Sequence, residues 1–153
     1  MELVAEMRRL DRRIDSVGDE LAVAVKDSST TLTSIFGVGT LVAAKLLART
    51  GPISRFRSGD AFASYAGVAP IEVSSGDVVR HRLSQAGDRQ LNHALHVIAI
   101  TQIRRDTAGK TYYQAKRAAG KSHKEALRCL ERRLVDVVYR TMIRDTEASL
   151  LAP

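Results

Sequence analysis

The residues best able to do chemistry in this 153-residue chain lie in the stretch 67–92, which reads GVAPIEVSSGDVVRHRLSQAGDRQLN. It holds two adjacent hydroxyls, Ser74 and Ser75. A basic cluster follows them: Arg80, His81 and Arg82. A serine hydroxyl acts as a nucleophile when a base takes its proton, and cations stabilise charge that develops on phosphate oxygens. No general base stands out in the sequence, and His81 is one possibility, because imidazole titrates at about pH 6.5. A polar connecting loop is the alternative interpretation, since Ser, Gly and Asp are ordinary turn residues.

The positive charge of the chain is confined to one part of it. The formal net charge is +7, yet residues 1–34 carry 7 acidic and 5 basic side chains. The segment 80–133 carries 13 basic and 4 acidic side chains. A local excess of this kind favours a polyanionic partner, DNA or RNA. A basic solubilising surface is the alternative, and a membrane surface is disfavoured because the basic helices lack anchoring Trp and Phe.

Other classes of site find no support in the sequence. The single cysteine, Cys129, excludes an internal disulfide, and no apolar run approaches the roughly 18 residues of a membrane span. The charged N-terminus has no apolar signal-peptide segment. His93 and His96 lie three residues apart without further ligands at suitable spacing, so no metal site is predicted. These features predict a cytoplasmic protein.

Hydrophobic spacing predicts a mainly α protein. Residues 3–25 are expected to form one long helix with a narrow a/d seam: Leu3, Met7, Leu10, Ile14, Val17, Leu21 and Ala24. Such a seam is typical of a coiled coil with a partner helix, and packing on its own domain is the alternative. The predicted units are a coiled-coil helix and linker (1–31), a helical domain with one irregular loop carrying Ser75 (32–146), and a tail (147–153).

The sequence around Gly37 and Gly39 matches a helix-hairpin-helix pattern. Both glycines allow a tight turn with positive φ, and Thr40 is predicted to cap the helix that follows. Free N–H groups at that helix start suit a phosphate oxygen. The pattern predicts contact with the DNA backbone, and a plain turn between core helices is the alternative.

Cations on later helices extend the predicted phosphate contact. Arg89 follows Asp88, the predicted cap of a helix over 89–105, and Ser122 with Glu125 forms a capping box that opens the last helix. The exposed face of that last helix is basic: Lys124, Arg128, Arg132, Arg133, Arg140 and Arg144. Of these, Lys124, Arg128 and Arg132 are the candidate DNA-binding residues, and a solvated charged face is the alternative.

Several of these motifs occur together in one known family. From Ile35 to about Met142 the chain resembles the C-terminal half of the IS110 family of insertion-sequence transposases, the DEDD recombinases guided by a bridge RNA. The matching segments are Gly37-Val-Gly39, Arg55-Phe56, Phe62-Ala-Ser-Tyr-Ala-Gly-Val-Ala-Pro70, Ser75-Gly76, the run from Leu83 to Asn92, and the run from Gly120 to Leu127.

The resemblance implies a role for Ser75. In this family the serine of the Ser-Gly pair attaches covalently to DNA, which corresponds to Ser75, with its neighbour Ser74 as the second candidate. The chain departs from the family at Gln85, where Lys is usual, and at Asn92, where Arg is usual. Each departure removes a cation expected to contact phosphate.

The resemblance also implies partners. The four acidic residues of the family lie in an N-terminal RuvC-like domain that binds divalent metal, and no carboxylate set in this chain could replace it. We therefore expect a DNA transposase or recombinase domain that is inactive alone, needs no cofactor of its own, and meets Mg²⁺ only with the DEDD domain. Expected partners are DNA, a guide RNA, that domain, and a second copy through the 3–25 helix. The alternative is a non-catalytic helix-hairpin-helix module that binds DNA or RNA.

Overall fold

The computed structural model describes residues 2–75, 78–83 and 87–151, with the side chains of 2–69 and 87–151. The helices it contains are α1 (Glu2–Asp27), α2 (Thr40–Thr50), α3 (Gly59–Tyr65), α4 (Arg89–Ile103), α5 (Ala108–Ala118) and α6 (His123–Leu151). Short 3₁₀ turns at Leu32–Ser34 and Ile53–Arg55 precede α2 and α3. The prediction of a mainly α protein is confirmed. None of the described helices combines the length and apolar character required to cross a membrane.

The segment that carries Ser75 is a β-hairpin, so the prediction of an irregular loop there is wrong. Strands β1 (Pro70–Ser75) and β2 (Val78–Leu83) pair antiparallel. The physical reason is local, because both strands contain β-branched residues that favour extended backbone. The register pairs Ser75 with Val78. Gly76 and Asp77, which connect the strands, lie outside the described residues.

Helix α4 is at the centre of the core, in contact with α2, α5 and α6. Its buried stripe consists of Leu91, Ala94, Leu95, Ile98 and Ala99. The large side chains that are fully buried elsewhere include Leu46, Phe62, Leu130, Val135 and Val138. Burying one side chain of this size stabilises a fold by about 1.5–3 kcal/mol. The hairpin therefore leads into the start of α4, the helix at the centre of the core.

Helix α1 exposes its apolar seam to solvent. The helix predicted over 3–25 is confirmed, and Val25 is its one buried residue. Seam residues such as Leu3 and Ile14 are 74 % and 68 % exposed. The seam is exposed from Leu3 to Val17, whereas α1 contacts α2 and the end of the helix packs on the domain, with Leu21 half-buried and Val25 buried.

Helix α6 is tied to the segment that follows α1. Asp145 accepts hydrogen bonds from the hydroxyl of Thr30 (2.8 Å) and from the amide (2.8 Å) and hydroxyl (2.6 Å) of Thr31. The helix then continues without a break to Leu151, through residues that the sequence assigns to a tail. The linker predicted before residue 32 is thus fixed on the helical domain.

Gln102, near the end of α4, connects three segments. Its side-chain amide donates to the carbonyl oxygen of Phe36 at 3.0 Å, and its backbone carbonyl accepts from the Thr107 hydroxyl at 3.0 Å. A Cβ atom on Gly109 would lie 1.9 Å from the Gln102 Oε1 atom. Gly109 therefore allows α5 to approach α4 closely while Gln102 fixes the turn before α2.

We expect Gly109→Ala to lower the free energy of unfolding by about 1–3 kcal/mol, the usual range for overpacking. The added methyl would displace Gln102, which is nearly buried and already bonded to Phe36. Urea denaturation followed by circular dichroism measures the change. The matched control is Gly18→Ala in α1, where a Cβ atom meets nothing within 4 Å. Equal stability of the Gly109→Ala variant and the parent would contradict this account.

Candidate functional site

The chain leaves the helical body for the β-hairpin at Gly67 and returns to it at Gly87, and these two glycines are in contact. We call this contact the Gly67–Gly87 crossing. A Cβ atom on Gly87 would lie 2.3 Å from the backbone N and Cα of Gly67, so the two backbones touch. Gly67 has a φ of +70°, a conformation that glycine adopts without a steric penalty. The amide of Asp88 donates to the carbonyl of Tyr65 at 2.7 Å. These contacts hold the two ends of the segment 68–86 together.

Asp88 joins this crossing to α2 and α4. Its Oδ1 accepts from the amides of Gln90 and Leu91, both at 2.9 Å, which confirms it as the N-cap of α4. Its Oδ2 accepts from Arg49 Nε (2.9 Å) and Nη2 (2.6 Å). Burial raises the pKa of the Asp88 carboxyl, but the Arg49 and backbone hydrogen bonds outweigh burial, so its pKa is lowered overall. The Asp88 side chain is 5 % exposed, so the carboxylate of the ion pair with Arg49 is buried.

Asn92, one helical turn after Asp88 on α4, binds the backbone where the chain leaves for the hairpin. Its Nδ2 donates to the carbonyl oxygens of Ala66 (3.3 Å) and Gly67 (3.2 Å). The family resemblance implies a lost phosphate-binding cation at this position. In this chain the carboxamide instead stabilises the backbone from which the hairpin departs.

The strand register sets the order of the predicted catalytic residues. Ser74 pairs with Val79 and Ser75 with Val78, and β2 continues through Arg80, His81 and Arg82, opposite Val73, Glu72 and Ile71. The side chains of Ser74, Ser75, Arg80, His81 and Arg82 lie outside the described residues, and so does Gln85. The backbone alone places the basic strand beside the serine strand, with Ser75 at the end remote from the Gly67–Gly87 crossing.

The glycine turn before α2 differs in part from the predicted geometry. Gly37 has a φ of +91°, and its Cβ position lies 3.3 Å from both the Ile98 carbonyl oxygen and the Thr101 Cβ. Gly37 therefore serves both the turn and close packing on α4. Gly39 is extended (φ −84°, ψ 176°) and is itself the N-cap of α2. The predictions of a positive φ at Gly39 and of Thr40 as the cap are wrong, because Thr40 is already the first helical residue.

The start of α2 is accessible. The first intrahelical hydrogen bond runs from Ala43 N to Gly39 O, so the amides of the first turn have no acceptor within the helix. A Cβ at Gly39 would meet nothing within 4 Å, and Phe36 and Leu41 beside it are exposed. A short 3₁₀ turn, not an α-helix, precedes this turn. This geometry leaves room for an anion at the start of α2. It differs from a complete helix-hairpin-helix, because a 3₁₀ turn is found in place of the first α-helix.

Arg132 differs from the other predicted phosphate contacts. Its guanidinium pairs with Asp136 at 2.6 Å and with Asp60 of α3. Burial lowers the pKa of Arg132, and the two ion pairs more than offset that effect. Arg132 thus links α6 to α3, and its charge is compensated. Arg89 and Lys124 are exposed and Arg128 is half-buried, and none of these three pairs with a carboxylate among the side chains that the structure describes.

The described carboxylates do not assemble into a metal site. Within residues 2–69 and 87–151, no three His, Cys, Asp or Glu side chains lie close enough to hold an ion. The buried Glu131 contacts His96 Nδ1 at 2.7 Å, and the other buried or half-buried acids bind Arg49, Arg132 or Thr30–Thr31. The donor set in the described ranges therefore does not fit Mg²⁺.

Two of the supporting residues, Arg49 and Gln102, have no signal in the sequence. Their partners Asp88 and Phe36 lie 39 and 66 residues away along the chain. Spacing rules for helices and strands relate only near neighbours. The sequence could indicate the Asp88 cap, but not the arginine that reaches it.

Comparison with known proteins places this geometry in a family. Residues 29–114 match the family model described as Transposase IS116/IS110/IS902 family. The chain belongs to this family of insertion-sequence transposases, and the resemblance drawn from its motifs is confirmed.

Individual relatives agree with this assignment. The chain is 40 % identical over 118 residues to an uncharacterized 43.6 kDa protein of insertion element IS110 from Streptomyces coelicolor, covering 76 % of this chain and 29 % of the relative. It is 30 % identical over 155 residues to a 44.8 kDa protein of element IS116 from Streptomyces clavuligerus, covering 99 % of this chain and 39 % of the relative. A 42 kDa protein of element IS900 from Mycobacterium paratuberculosis is 37 % identical over 114 residues, which cover 73 % of this chain and 28 % of that protein. The chain thus spans about a third of the length of the curated relatives that it matches.

We expect Asp88→Asn to lower stability at neutral pH by about 1 kcal/mol or less, the range for a partly exposed ion pair. Asparagine still caps a helix, so the loss isolates the charge interaction with Arg49. Because the folded pKa of Asp88 is depressed below 3.8, its contribution is present above that pH and is lost as the pH falls through the folded value. The difference between parent and variant in urea denaturation should therefore vanish in acid. Arg49→Gln should show the same pH dependence, and a difference that persists in acid would contradict the assignment.

Proposed function

We propose that this chain is the DNA-processing part of an insertion-sequence transposase, with Ser75 as the nucleophile for strand cleavage and exchange. The observation that carries the proposal is the hairpin register, in which Ser75 ends β1 beside the two-residue connection. The hairpin is fixed to the helical body at Gly67 and Gly87. A reactive group on a projecting element with a rigid base can enter a partner's groove or active site while its orientation is maintained.

The proposed step is a transesterification at phosphorus. The Ser75 Oγ forms a bond to the phosphorus of a DNA phosphodiester, and the bond from phosphorus to one deoxyribose oxygen breaks. The hydroxyl proton passes to a base, for which His81 is the candidate within this chain, and the departing oxygen takes up a proton. Arg80, Arg82 and Arg89 would offset the charge that develops on the non-bridging oxygens.

The proposed DNA contacts lie on both sides of the hairpin base. The first turn of α2 offers free amides at Thr40, next to Gly37 and Gly39, to a phosphate oxygen. Lys124 and Arg128 on α6 offer positive charge, since neither forms an ion pair with a described carboxylate. Arg132 contributes less than the sequence predicts, because Asp60 and Asp136 already bind its guanidinium.

Further partners follow from the family and stay proposals for this chain. We propose that an N-terminal RuvC-like DEDD domain supplies the metal chemistry, because the described carboxylates here do not fit an ion. A guide RNA would direct the assembled protein to its target, and the chain alone would be inactive. A cytoplasmic location, where such an assembly would meet its DNA, is also a prediction.

A second candidate function is a non-catalytic module that binds DNA or RNA. The accessible start of α2, with Phe36 and Leu41 exposed beside it, favours this alternative. Binding would then show strong salt dependence and little sequence preference. Ser75 would have no role.

We expect Ser75→Ala to abolish a covalent protein–DNA adduct while leaving DNA binding intact. The assay combines the chain with a DEDD domain of the same element supplied in trans, labelled element-junction DNA, guide RNA and Mg²⁺, and resolves the products under denaturing conditions. Ser74→Ala is the matched control one residue away on the same strand. An adduct that survives Ser75→Ala would rule out Ser75 as the nucleophile, and one lost only in Ser74→Ala would assign that role to Ser74. Absence of an adduct in the parent, with salt-sensitive binding retained, would favour the non-catalytic module.

We also propose that α1 pairs with α1 of a second copy. Its exposed seam repeats at alternating spacings of four and three residues, the pattern that two helices bury between them. Burying one exposed aliphatic side chain in such a seam contributes about 1.5–3 kcal/mol. The interaction should therefore persist at high salt.

The expected result for Leu10→Glu/Ile14→Glu is loss of the oligomer in sedimentation velocity at 1 M NaCl. Charges at two seam positions would have to be buried without partners. Arg8→Glu/Arg12→Glu is the control on the polar faces of the same helix, and it should leave the oligomer intact. A monomeric parent chain would refute the proposal.

A further inference from the structure

Arg55 is an exposed cation whose side chain lies against two aromatic rings. Its guanidinium carbon is 4.5 Å from the centroid of the Phe56 ring and 4.5 Å from the centroid of the Tyr65 ring. The two rings are 5.2 Å apart, so a single guanidinium bridges them. Among the side chains that the structure describes, no carboxylate pairs with Arg55. The Arg55-Phe56 pair is one of the motifs shared with the family, and the proposed cleavage leaves it without a role.

The Phe56 ring is the fixed side of this bridge. It lies 5.1 Å from the ring of Phe62, which is fully buried in α3. The backbone carbonyl of Phe56 also accepts a hydrogen bond from the Tyr139 hydroxyl of α6 at 3.3 Å. Phe56 is therefore held by two helices of the body, and Arg55 connects this held ring to Tyr65.

Tyr65 is the last residue of α3 before the chain enters the Gly67–Gly87 crossing. Its carbonyl accepts from the Asp88 amide at 2.7 Å, and its hydroxyl donates to the carbonyl of Arg49 at 3.3 Å. Tyr65 thus joins the end of α3 to the end of α2 and to the start of α4. A displacement of Tyr65 would break the backbone hydrogen bond that closes the segment 68–86.

The side chain that bridges the rings has to be an arginine. The guanidinium is planar and stacks on aromatic faces, whereas a lysine ammonium is a compact and strongly hydrated point charge. A cation–π contact at an exposed site changes an equilibrium constant by about two- to fivefold. Two such contacts are too weak to decide whether the whole domain folds, but they are strong enough to change how often one segment opens locally.

We propose that Arg55 keeps the base of the hairpin closed by holding Tyr65 against Phe56, and that it is thereby a positioning residue for Ser75. Arg55 acts through Tyr65 and the Asp88 amide. When the base opens, Ser75 loses the orientation that a displacement at phosphorus requires. The consequence for Ser75 rests on the proposed function, and the closing of the base does not.

The test compares Arg55→Gln and Arg55→Lys with the matched control Arg57→Gln in the whole chain. Arg57 is exposed, lies two residues away, and has no described contact with a ring or a carboxylate. The first measurement is hydrogen exchange of the Asp88 amide, with the amide of the buried Val135 as the reporter of global unfolding. The second is the rate of adduct formation with the DEDD domain in trans, beside the affinity for a labelled DNA duplex over a series of salt concentrations.

We expect Arg55→Gln to speed exchange of the Asp88 amide by about tenfold, the combined effect of two cation–π contacts, while exchange of the Val135 amide stays within about twofold of the parent. Arg55→Lys should restore only part of the protection, because the ammonium keeps the charge and loses the stacking. Adduct formation should slow by about the same factor in Arg55→Gln. Duplex affinity and its salt dependence should match those of Arg57→Gln, which should resemble the parent in exchange and in adduct rate.

Three results would overturn the inference. Unchanged exchange of the Asp88 amide in Arg55→Gln would show that the bridge does not hold Tyr65. Equal acceleration at Asp88 and Val135 would show that Arg55 only stabilises the fold. A slope of log Kobs against log salt that is less steep by about 0.9 than in Arg57→Gln would show that Arg55 contacts a phosphate. Faster exchange at Asp88 alone, in a chain whose parent forms no adduct, would refute the proposed cleavage and support the role of Arg55 at the hairpin base.

Discussion

The cap of α4 is the interaction on which the rest of the site depends. The carboxylate of Asp88 accepts hydrogen bonds from two amides at the start of the central helix and pairs with Arg49 of α2. The backbone amide of Asp88 donates to Tyr65 and so closes the base of the hairpin. A buried acid with fewer partners would be costly. With all of them in place, α2, α4 and the backbone at Tyr65, where the chain leaves for the hairpin, are held together.

The turn before α2 and the hairpin are joined to the helical body in different ways. The turn at Gly37 is supported by α4 through Gln102 and by direct packing on Ile98. The hairpin, by contrast, is fixed at its base, and its register places Ser75 at the opposite end. The turn is thus supported by packing on α4, whereas the described contacts of the hairpin with the helices lie at Gly67 and Gly87.

Local rules predicted much of this structure and long-range contacts explain what they missed. The caps at Asp88 and Ser122 follow from residue type and spacing, and the helices they open are found. The hairpin also had a signal, since a Gly-Asp pair between two β-branched runs is typical of one, but its serines and charges were interpreted as a loop. Asn92 and Arg132 show what local rules miss. Both have partners on other elements, and the sequence of their own helix does not reveal those partners.

The contact between Gly67 and Gly87 has a consequence for how such proteins can diverge. A segment of 19 residues starts and ends at nearly the same point, so its length and composition can change without moving the helices around it. Positions in this insert can therefore vary between related proteins while the helical scaffold and its folding stay the same.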